Sequence, residues 1–380
     1  NVAINPNDFD AIKAFVLTNK IDMVVVGPEE PLVRGIYDYF QNDGALKNIQ
    51  MIGPSQNGAQ LEGSKAFAKA FMEEFNIPTA GYREFTEATL QQGLEYLATK
   101  TPPIVLKADG LAAGKGVLIC LKTEEAQTEF KAMLSGKFGA AGSTVVVEDF
   151  LDGIEFSVFA ITDGEHYKIL PTAKDYKRIG EGDSGLNTGG MGAISPVSFV
   201  DDVLMEKVEK QIIQPTINGI KSRGMAYKGF VFFGLIRVDN EPFVIEYNCR
   251  MGDPETEVVF PRLKNDVVEL FKATAKGNLK DIEIQKDNRT ATTLMLVSGG
   301  YPEAYEKGKV ITGIESVIDS IVFHAGTKKE GNDVTTNGGR VISITSYGET
   351  MGQALAICNK NAKNINFEGK YFRRDIGFDL

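Results

Sequence analysis

The chain has 380 residues, of which 43% are hydrophobic and 24% are charged, and its formal net charge is −10. This length predicts two or three domains. The acidic balance argues against nucleic acid as the main partner, because a phosphate backbone requires a basic face. No apolar run in the sequence approaches the ~18 residues that a membrane span requires, so we expect no membrane partner either.

The sequence contains three cysteines and two histidines. Cys120, Cys249 and Cys358 are far apart and form neither a zinc-binding spacing nor an even disulfide framework. Free thiols favour a reducing, cytoplasmic setting. Two histidines are too few for most His-based zinc sites. We therefore expect any chemistry to use Lys, Arg, Asp, Glu and backbone amides.

The first 58 residues predict part of an open parallel α/β sheet. The apolar segment 21–26 predicts a buried strand that ends in a loop at 27–31, followed by a helix to about Phe40 and a short strand at 51–53. Ligands of such sheets bind beyond the carboxyl ends of the strands. The chain begins at Asn1 without Met, and we expect it to start inside this domain, which is therefore truncated.

A helix capped by Ser64 is predicted next, and residues 79–150 then alternate helix and strand. Within them, a glycine-rich stretch with two lysines, 107–116, joins strands at 103–107 and 117–121. Glycines let backbone N–H groups approach phosphate oxygens, and lysines add charge. Taken alone, the motif fits a phosphate-covering hairpin and an ordinary glycine turn equally well.

A hairpin is predicted from strands at 229–238 and 243–248. Glu246 and Asn248 share one face of the second strand, where a carboxylate and an amide oxygen suit a hard cation such as Mg²⁺. Arg250 continues that face. Asp253 is a predicted helix N-cap with Pro254 at the first helical position, which would create an anion site. The alternative is a half-exposed edge strand with a structural cap.

Two further motifs are weak when taken singly. The acids at 148 and 155 flank a link that suits adenine and ribose, although a solvated acidic turn is the favoured reading of that link alone. The basic and glycine-rich stretch 175–192 suits an anionic small substrate, although by itself it fits a disordered surface loop. Helices are predicted at 201–222, 255–263 and 266–276, and a separate α+β domain at 289–380.

In this order the motifs resemble those of the ATP-grasp ligases, and more closely those of the phosphoribosylamine–glycine ligase family. The resemblance covers essentially the whole chain, and the pattern RxGDPExE at 250–257 is its sharpest member. It implies an ATP-grasp fold at 59–288, with a nucleotide-covering subdomain at about 79–150. It also implies that ATP and Mg²⁺ or Mn²⁺ are used to join glycine to 5-phosphoribosylamine through a glycyl phosphate.

The resemblance also implies roles for individual positions. Catalysis would use Arg250 and Lys115. ATP would be bound by Lys65, Lys107, Gly114, Gly116, Glu148, Phe150 and Glu155. The other substrates would be bound by Gly27, Pro28, Glu29, Asp175, Lys177, Arg178, Asn187, Thr188, Gly189, Gly190 and Met191. The metal would be bound by Glu246 and Asn248.

Two departures and three alternatives accompany the resemblance. Members of the family begin with a strand–glycine loop–helix unit ahead of the point where this chain starts. Many ATP-grasp enzymes also carry a second metal carboxylate on the preceding strand, whereas residues 230–236 of this chain include no acid. The alternatives are a non-catalytic ATP-binding fragment, another ATP-grasp carboxylate–amine ligase, and a dinucleotide oxidoreductase, which the absence of GxGxxG disfavours. We expect a monomer or weak dimer.

Overall fold

The computed structural model describes residues 1–111 and 116–380, apart from the side chain of Ala140. Its N-terminal part is a small α/β layer in which two short strands run parallel, with Val24 opposite Met51. The predicted parallel arrangement is therefore confirmed. The single helix expected up to about Phe40 is instead two helices, which separate at Gly35, where φ is +85°. The elements are α1 (Phe9–Thr18), β1 (Met23–Val25), α2 (Glu29–Val33), α3 (Ile36–Asn42) and β2 (Gln50–Pro54).

The next part begins with two helices and continues as a four-stranded antiparallel sheet with two more helices against it. Ser64 caps the second helix as predicted, since its hydroxyl accepts a hydrogen bond from Phe67 N at 3.0 Å. Leu106, Phe130 and Val147 are fully buried between the sheet and its helices. The elements are α4 (Gln56–Gly63), α5 (Lys65–Glu74), β3 (Tyr82–Thr86), α6 (Leu90–Ala98), β4 (Ile104–Ala108), β5 (Val117–Cys120), α7 (Thr123–Ala132) and β6 (Thr144–Asp149), with the strand order β3-β6-β4-β5.

The residues that follow supply the strands of the central sheet and several short strands. The elements are β7 (Ile154–Thr162), β8 (Tyr167–Ile169), β9 (Lys174–Asp175), β10 (Arg178–Gly180), β11 (Ser184–Asn187), β12 (Gly192–Ser195), α8 (Asp202–Val208), α9 (Gln214–Ser222), β13 (Tyr227–Val238) and β14 (Glu241–Asn248). The long strand β13 lies between β7 and β14, and its first residues pair with β2. The N-terminal layer and the central sheet are therefore continuous.

The predicted hairpin at the centre of this sheet is confirmed. Asp239 and Asn240 form its turn with φ values of +50° and +64°. Two central residues with positive φ match the right-handed twist of the flanking strands, which is why Asn and Asp are favoured at such turns. The hairpin places β14 at one edge of β13, and the site described below lies at the end of β14.

The C-terminal sheet takes strands from two separate regions of the chain. Its order is β17-β20-β15-β12-β9, and α12 packs against β15 and β20. The remaining elements are α10 (Thr256–Val259), α11 (Val267–Lys276), β15 (Thr290–Val297), β16 (Val310–Ile311), β17 (Ser320–His324), β18 (Thr327–Glu330), β19 (Asp333–Thr336), β20 (Arg340–Gly348) and α12 (Met351–Asn364).

The glycine-rich stretch 177–192 is more regular than predicted. It contains the hairpin of β10 and β11 and leads into β12, all four residues of which are buried. Reading it alone as a disordered loop is wrong, because β10 and β11 pair with each other, as at Arg178 and Asn187, and Gly192 pairs with Leu294 of β15. None of the helices in residues 1–111 and 116–380 combines the length and the apolar character needed to cross a bilayer.

Candidate active site

A cleft with a cavity volume of about 180 Å³ lies where the four-stranded sheet and α5 face the end of β14. The cleft brings together eight of the residues that the sequence assigned to a site. They are Glu29, Lys65, Lys107, Gly116, Glu148, Glu246, Asn248 and Arg250.

Buried lysines line one wall of the cleft. Lys107 Nζ lies 2.9 Å from Glu148 Oε2 and also donates to the carbonyl of Ile245 at 3.0 Å. Lys69 Nζ lies 3.3 Å from the other carboxylate oxygen of Glu148 and donates to Thr79 Oγ1 at 2.8 Å. Glu148 therefore bridges two ammonium groups and neutralises part of their charge.

Burial changes the basicity of these lysines. It lowers the pKa of Lys69 to about 8, against the opposing effect of Glu148. It also lowers the pKa of Lys65, which Glu246 partly offsets. Sequence reasoning missed Lys69. Its spacing of four residues from Lys65 on α5 could have revealed it, since positions i and i+4 share a helix face.

Glu246 and Asn248 both line the cleft, as their shared face on β14 predicts. The side-chain amide of Asn248 donates to Glu62 Oε1 at 3.3 Å and to Tyr247 O at 2.9 Å. Oxygen donors converge here, which fits a hard cation. Within the described part of the chain, no group of three or more His, Cys, Asp or Glu side chains could hold a metal ion by itself.

Two carboxylates hold the guanidinium of Arg250 at the edge of the cleft. Arg250 Nη2 lies 3.0 Å from Glu62 Oε1, and Arg250 Nε lies 3.7 Å from Glu29 Oε2. Burial raises the pKa of Glu62 to about 7, although Arg250 opposes the shift. Sequence reasoning did not select Glu62, and nothing local marks it, because its partners lie almost 190 positions further along the chain.

A second, much smaller cavity of about 10 Å³ adjoins the cleft and shares Ile245 and Glu246 with it. Glu155, Asp175 and Lys177 line it, and Lys177 Nζ lies 3.0 Å from Glu155 Oε2. Burial raises the pKa of Asp175. Three of the predicted site residues are thus grouped beside the metal-binding candidate Glu246.

Glu255 lies close to this group and was not selected from the sequence. It is 3% exposed and accepts a hydrogen bond from Ser157 Oγ at 3.2 Å. Burial, and then the charge of Asp175, raise the pKa of Glu255 to about 8. A carboxyl group that keeps its proton near neutral pH can donate a hydrogen bond as well as accept one.

The predicted substrate loop, residues 187–191, is held by contacts on both sides. Thr188 N and Thr188 Oγ1 both donate to Lys177 O at 2.7 Å. On the other side, Gly189 N donates to Tyr301 Oη at 3.0 Å, and Arg340 donates to Gly189 O. Arg340 and Tyr301 belong to the C-terminal part of the chain, so that part orders the loop.

Other members of the predicted substrate set lie differently. Arg178 is opposite Asn187 in the β10–β11 hairpin and donates to Gly185 O at 2.8 Å. Met191 is fully buried in the core of the C-terminal sheet, and its backbone N–H and C=O are paired with Tyr176 O and Met295 N. Gly27 and Pro28 are exposed in the loop before α2 and do not line either cavity.

Three further predictions meet the structure in different ways. Phe150 is exposed and lines neither cavity, so its predicted backbone contact with adenine stays a prediction. Gly114 and Lys115, which were predicted to close over the phosphates, lie outside the described residues.

The predicted helix cap at Asp253 is wrong. The helix α10 begins at Thr256 and has no side-chain cap. The carboxylate of Asp253 is instead paired with Arg340, whose Nη1 also donates to Asp253 O at 3.2 Å. A helix of four residues does not provide the anion site that was expected there.

Comparisons with known proteins agree with this geometry. Models of three domains of phosphoribosylglycinamide synthetase match the chain: the N domain at residues 1–62, the ATP-grasp (A) domain at 63–256 and the C domain at 291–379. The chain shares its fold with the biotin carboxylase domain of the 2-oxoglutarate carboxylase of Hydrogenobacter thermophilus. The two superpose with a TM-score of 0.72 at 16% identity, and the match covers 99% of this chain and 82% of that one.

Relatives of higher sequence identity are phosphoribosylamine–glycine ligases. The phosphoribosylamine–glycine ligase of Yersinia pestis is 46% identical over 383 residues, which span 100% of this chain and 88% of that protein. The crystal structure of phosphoribosylamine–glycine ligase from Thermotoga maritima superposes with a TM-score of 0.79 at 38% identity, covering 86% of this chain and 81% of its own. The chain therefore belongs to the phosphoribosylglycinamide synthetase family, that of the phosphoribosylamine–glycine ligases.

Proposed function

We propose that the chain uses ATP to join glycine to 5-phosphoribosylamine, giving glycinamide ribonucleotide, ADP and phosphate in de novo purine synthesis. The observation that carries the proposal is the convergence of cations and oxygen donors in one cleft. Lys65, Lys107 and Arg250 line it together with Glu246 and Asn248. This set suits a polyphosphate whose terminal group is transferred, since phosphoryl transfer depends on positioning and on neutralising charge.

The triphosphate of ATP would lie along the lysine wall. Lys65 and Lys107 would contact its phosphates, with Gly116 and the proposed Gly114 and Lys115 above them. Glu148 and the backbone near Phe150 would bind adenine. The ribose would be bound by Glu155, whose present ion pair with Lys177 would then be shared with a ribose hydroxyl.

Glu246 and Asn248 would hold Mg²⁺ or Mn²⁺, with phosphate and water oxygens completing the coordination. The bound metal supplies neutralisation of charge on the terminal phosphates. The protein's own part is to fix the two donors, which the pairing of β14 with β13 does through its backbone ladder. At Gly234, which lies opposite Glu246 on β13, no second carboxylate is available.

The reaction would proceed in two displacements that need no protein nucleophile. A carboxylate oxygen of glycine attacks the γ-phosphorus, the bond to the ADP oxygen breaks, and glycyl phosphate forms. The amine nitrogen of phosphoribosylamine then attacks the acyl carbon, phosphate leaves, and the nitrogen loses a proton. Arg250 would stabilise the transferring phosphoryl group and the acyl phosphate, because its guanidinium matches phosphate geometry.

Glycine and phosphoribosylamine would bind beside the terminal phosphate. The second cavity offers Asp175 and Lys177 there, directly next to Glu246. Glu29 would reach them from the other side, and the loop 187–191 with Arg178 would complete the binding surface. We also propose that the enzyme works in the cytoplasm, since all three cysteines are free and buried, and that it is a monomer or weak dimer.

A phosphate-release assay tests the proposal. We expect release from ATP only when glycine is present, and release of ADP, phosphate and glycinamide ribonucleotide in equal amounts when phosphoribosylamine is added. Replacing glycine by other carboxylates is the matched control. ATP binding without glycine-dependent turnover would instead identify a nucleotide-binding module, and turnover with another carboxylate would identify a different ATP-grasp ligase.

A further inference from the structure

Glu62, the penultimate residue of α4, contacts three consecutive residues at the end of β14 and just after it. Its Oε1 lies 3.0 Å from Arg250 Nη2, and its Oε2 accepts from Cys249 N at 2.7 Å. The side-chain amide of Asn248 donates to Oε1 at 3.3 Å. The carboxylate of Glu62 therefore contacts both Asn248, the proposed metal ligand, and Arg250, the proposed phosphoryl-stabilising residue.

We propose that Glu62 is a positioning residue that sets Arg250 and Asn248 for phosphoryl transfer. The proposal rests on the proposed function. Asn248 is the last residue of β14 that pairs with β13, so backbone pairing no longer constrains the residues after it. The backbone N–H of Cys249 is satisfied by Glu62 instead of by a neighbouring strand. The direction in which Arg250 leaves the sheet is thus set by a side chain of α4.

Burial makes the contacts of Glu62 with Arg250 and Cys249 N hard to displace. The side chain of Glu62 is 6% exposed, and that of Arg250 is 21% exposed. A buried carboxylate requires partners for both oxygens, because an unpaired charge or acceptor is costly away from water. Moving Arg250 or Cys249 N away would leave Glu62 without those partners, so the arrangement resists displacement.

The link between α4 and α5 also contacts the start of the glycine-rich stretch 107–116. Ser64 Oγ donates to Asp109 Oδ1 at 2.9 Å, and Ala66 N donates to the same oxygen at 2.7 Å. Lys65 lies between these two residues. The link between α4 and α5 therefore fixes three groups relative to one another: Arg250 through Glu62, the phosphate-facing Lys65, and the strand that leads to the nucleotide cover.

The test is the variant Glu62→Gln, which keeps the size of the side chain and removes its charge. We expect kcat to fall about 10- to 100-fold, as expected for losing hydrogen bonds to a charged group, while KM for ATP changes by less than about 3-fold. The affinity for Mn²⁺ in the presence of ADP, measured by electron paramagnetic resonance, should weaken several-fold, because the Asn248 amide loses its support.

A double-mutant cycle separates positioning from a purely structural role. If Glu62 acts through Arg250, then Glu62→Gln combined with Arg250→Gln should have about the same kcat as Arg250→Gln alone. The matched control is Asp163→Asn, which changes another buried carboxylate that accepts from backbone N–H groups but lies outside both cavities. That variant should lower the melting temperature without changing kcat.

The proposal is overturned if Glu62→Gln keeps the wild-type kcat and Mn²⁺ affinity, or if its effect on kcat multiplies with that of Arg250→Gln. Should Glu62→Gln fail to fold, Glu62→Asp keeps the charge but withdraws it from Arg250, and wild-type values in that variant would also overturn the proposal. Mn²⁺ binding is measured without turnover. If the wild-type protein has no glycine-dependent activity, the proposed function is contradicted. The role of Glu62 is then still tested by Mn²⁺ binding.

Discussion

Replacing Gly190 by alanine should distort the substrate loop. Gly190 has a φ of +109°, and a Cβ added there would lie 2.3 Å from Cδ of Pro254. A side chain in this backbone conformation costs about 1–3 kcal/mol, and the overlap adds about 1–3 kcal/mol. The total of about 2–6 kcal/mol is large because Pro254 lies in a rigid backbone segment that also carries Asp253.

Hydrogen exchange measures this cost locally, which is preferable for a chain of several domains. A loss of 2 kcal/mol corresponds to about 30-fold faster exchange of protected amides, and we expect at least this change in residues 187–195. The KM values for glycine and phosphoribosylamine should rise while the KM for ATP stays near that of the wild type, since the lysine wall is not touched.

The matched control is Gly224→Ala. Gly224 also has a positive φ, +62°, but a Cβ there meets no atom within 4 Å. It should cost only the backbone strain of about 1–2 kcal/mol and leave all KM values unchanged. Equal effects of Gly190→Ala and Gly224→Ala on exchange and on KM would refute the reasoning that the loop is held against Pro254.

Three further predictions follow from the site. Glu246→Gln should abolish metal-dependent ATP consumption while the melting temperature stays close to that of the wild type, and full activity would contradict the metal assignment. Burial raises the pKa of Glu255 from its ordinary value of 4.5 to about 8, so the folded state binds the proton more tightly than the unfolded state. Stability should therefore fall as pH rises from about 5 to 8. Glu255→Gln should flatten that slope in thermal melts, and an unchanged slope would count against the prediction. Arg340→Lys should raise the KM for glycine several-fold, because a lysine cannot bind Gly189 O and both acceptors of Asp253 together. An unchanged KM would show that these contacts of Arg340 do not matter for glycine binding.

Local patterns were sufficient for much of the fold. The turn at Asp239 and Asn240 and the cap at Ser64 depend on contacts within a few residues, and both are confirmed. The strand at 243–248 is confirmed as well, but its alternation is interrupted between Val244 and Glu246, where the register with β13 shifts. The cap at Asp253 failed for the opposite reason. Its carboxylate has a better partner in Arg340, 87 positions away, and that ion pair competes with a helix N-terminus. The buried strand β12 was likewise hidden because its partner β15 lies far along the chain.

The residues of the site also fall into two groups, those that the sequence was enough to select and those that it was not. Glu246 and Asn248 lie on one face of β14, Arg250 follows just after the end of that strand, and Lys107 precedes a glycine-rich stretch, so their order in the sequence was enough to select them. Glu62, Lys69, Glu255 and Arg340 were not selected. Each becomes part of the site through partners supplied by another element. The same packing raises the pKa of Glu62 and Glu255 and lowers that of Lys69.

The sequence by itself determined the kinds of groups available: lysines, an arginine, carboxylates and an amide, in an order typical of ATP-grasp ligases and with few histidines or cysteines to offer other chemistry. Only the tertiary structure decided which of these groups meet. Residue type and short spacing determine local conformation and chemical character. The pairing of Glu62 with Arg250, or of Glu148 with two lysines, depends on long-range packing that removes water and leaves each buried charge only the partners within reach.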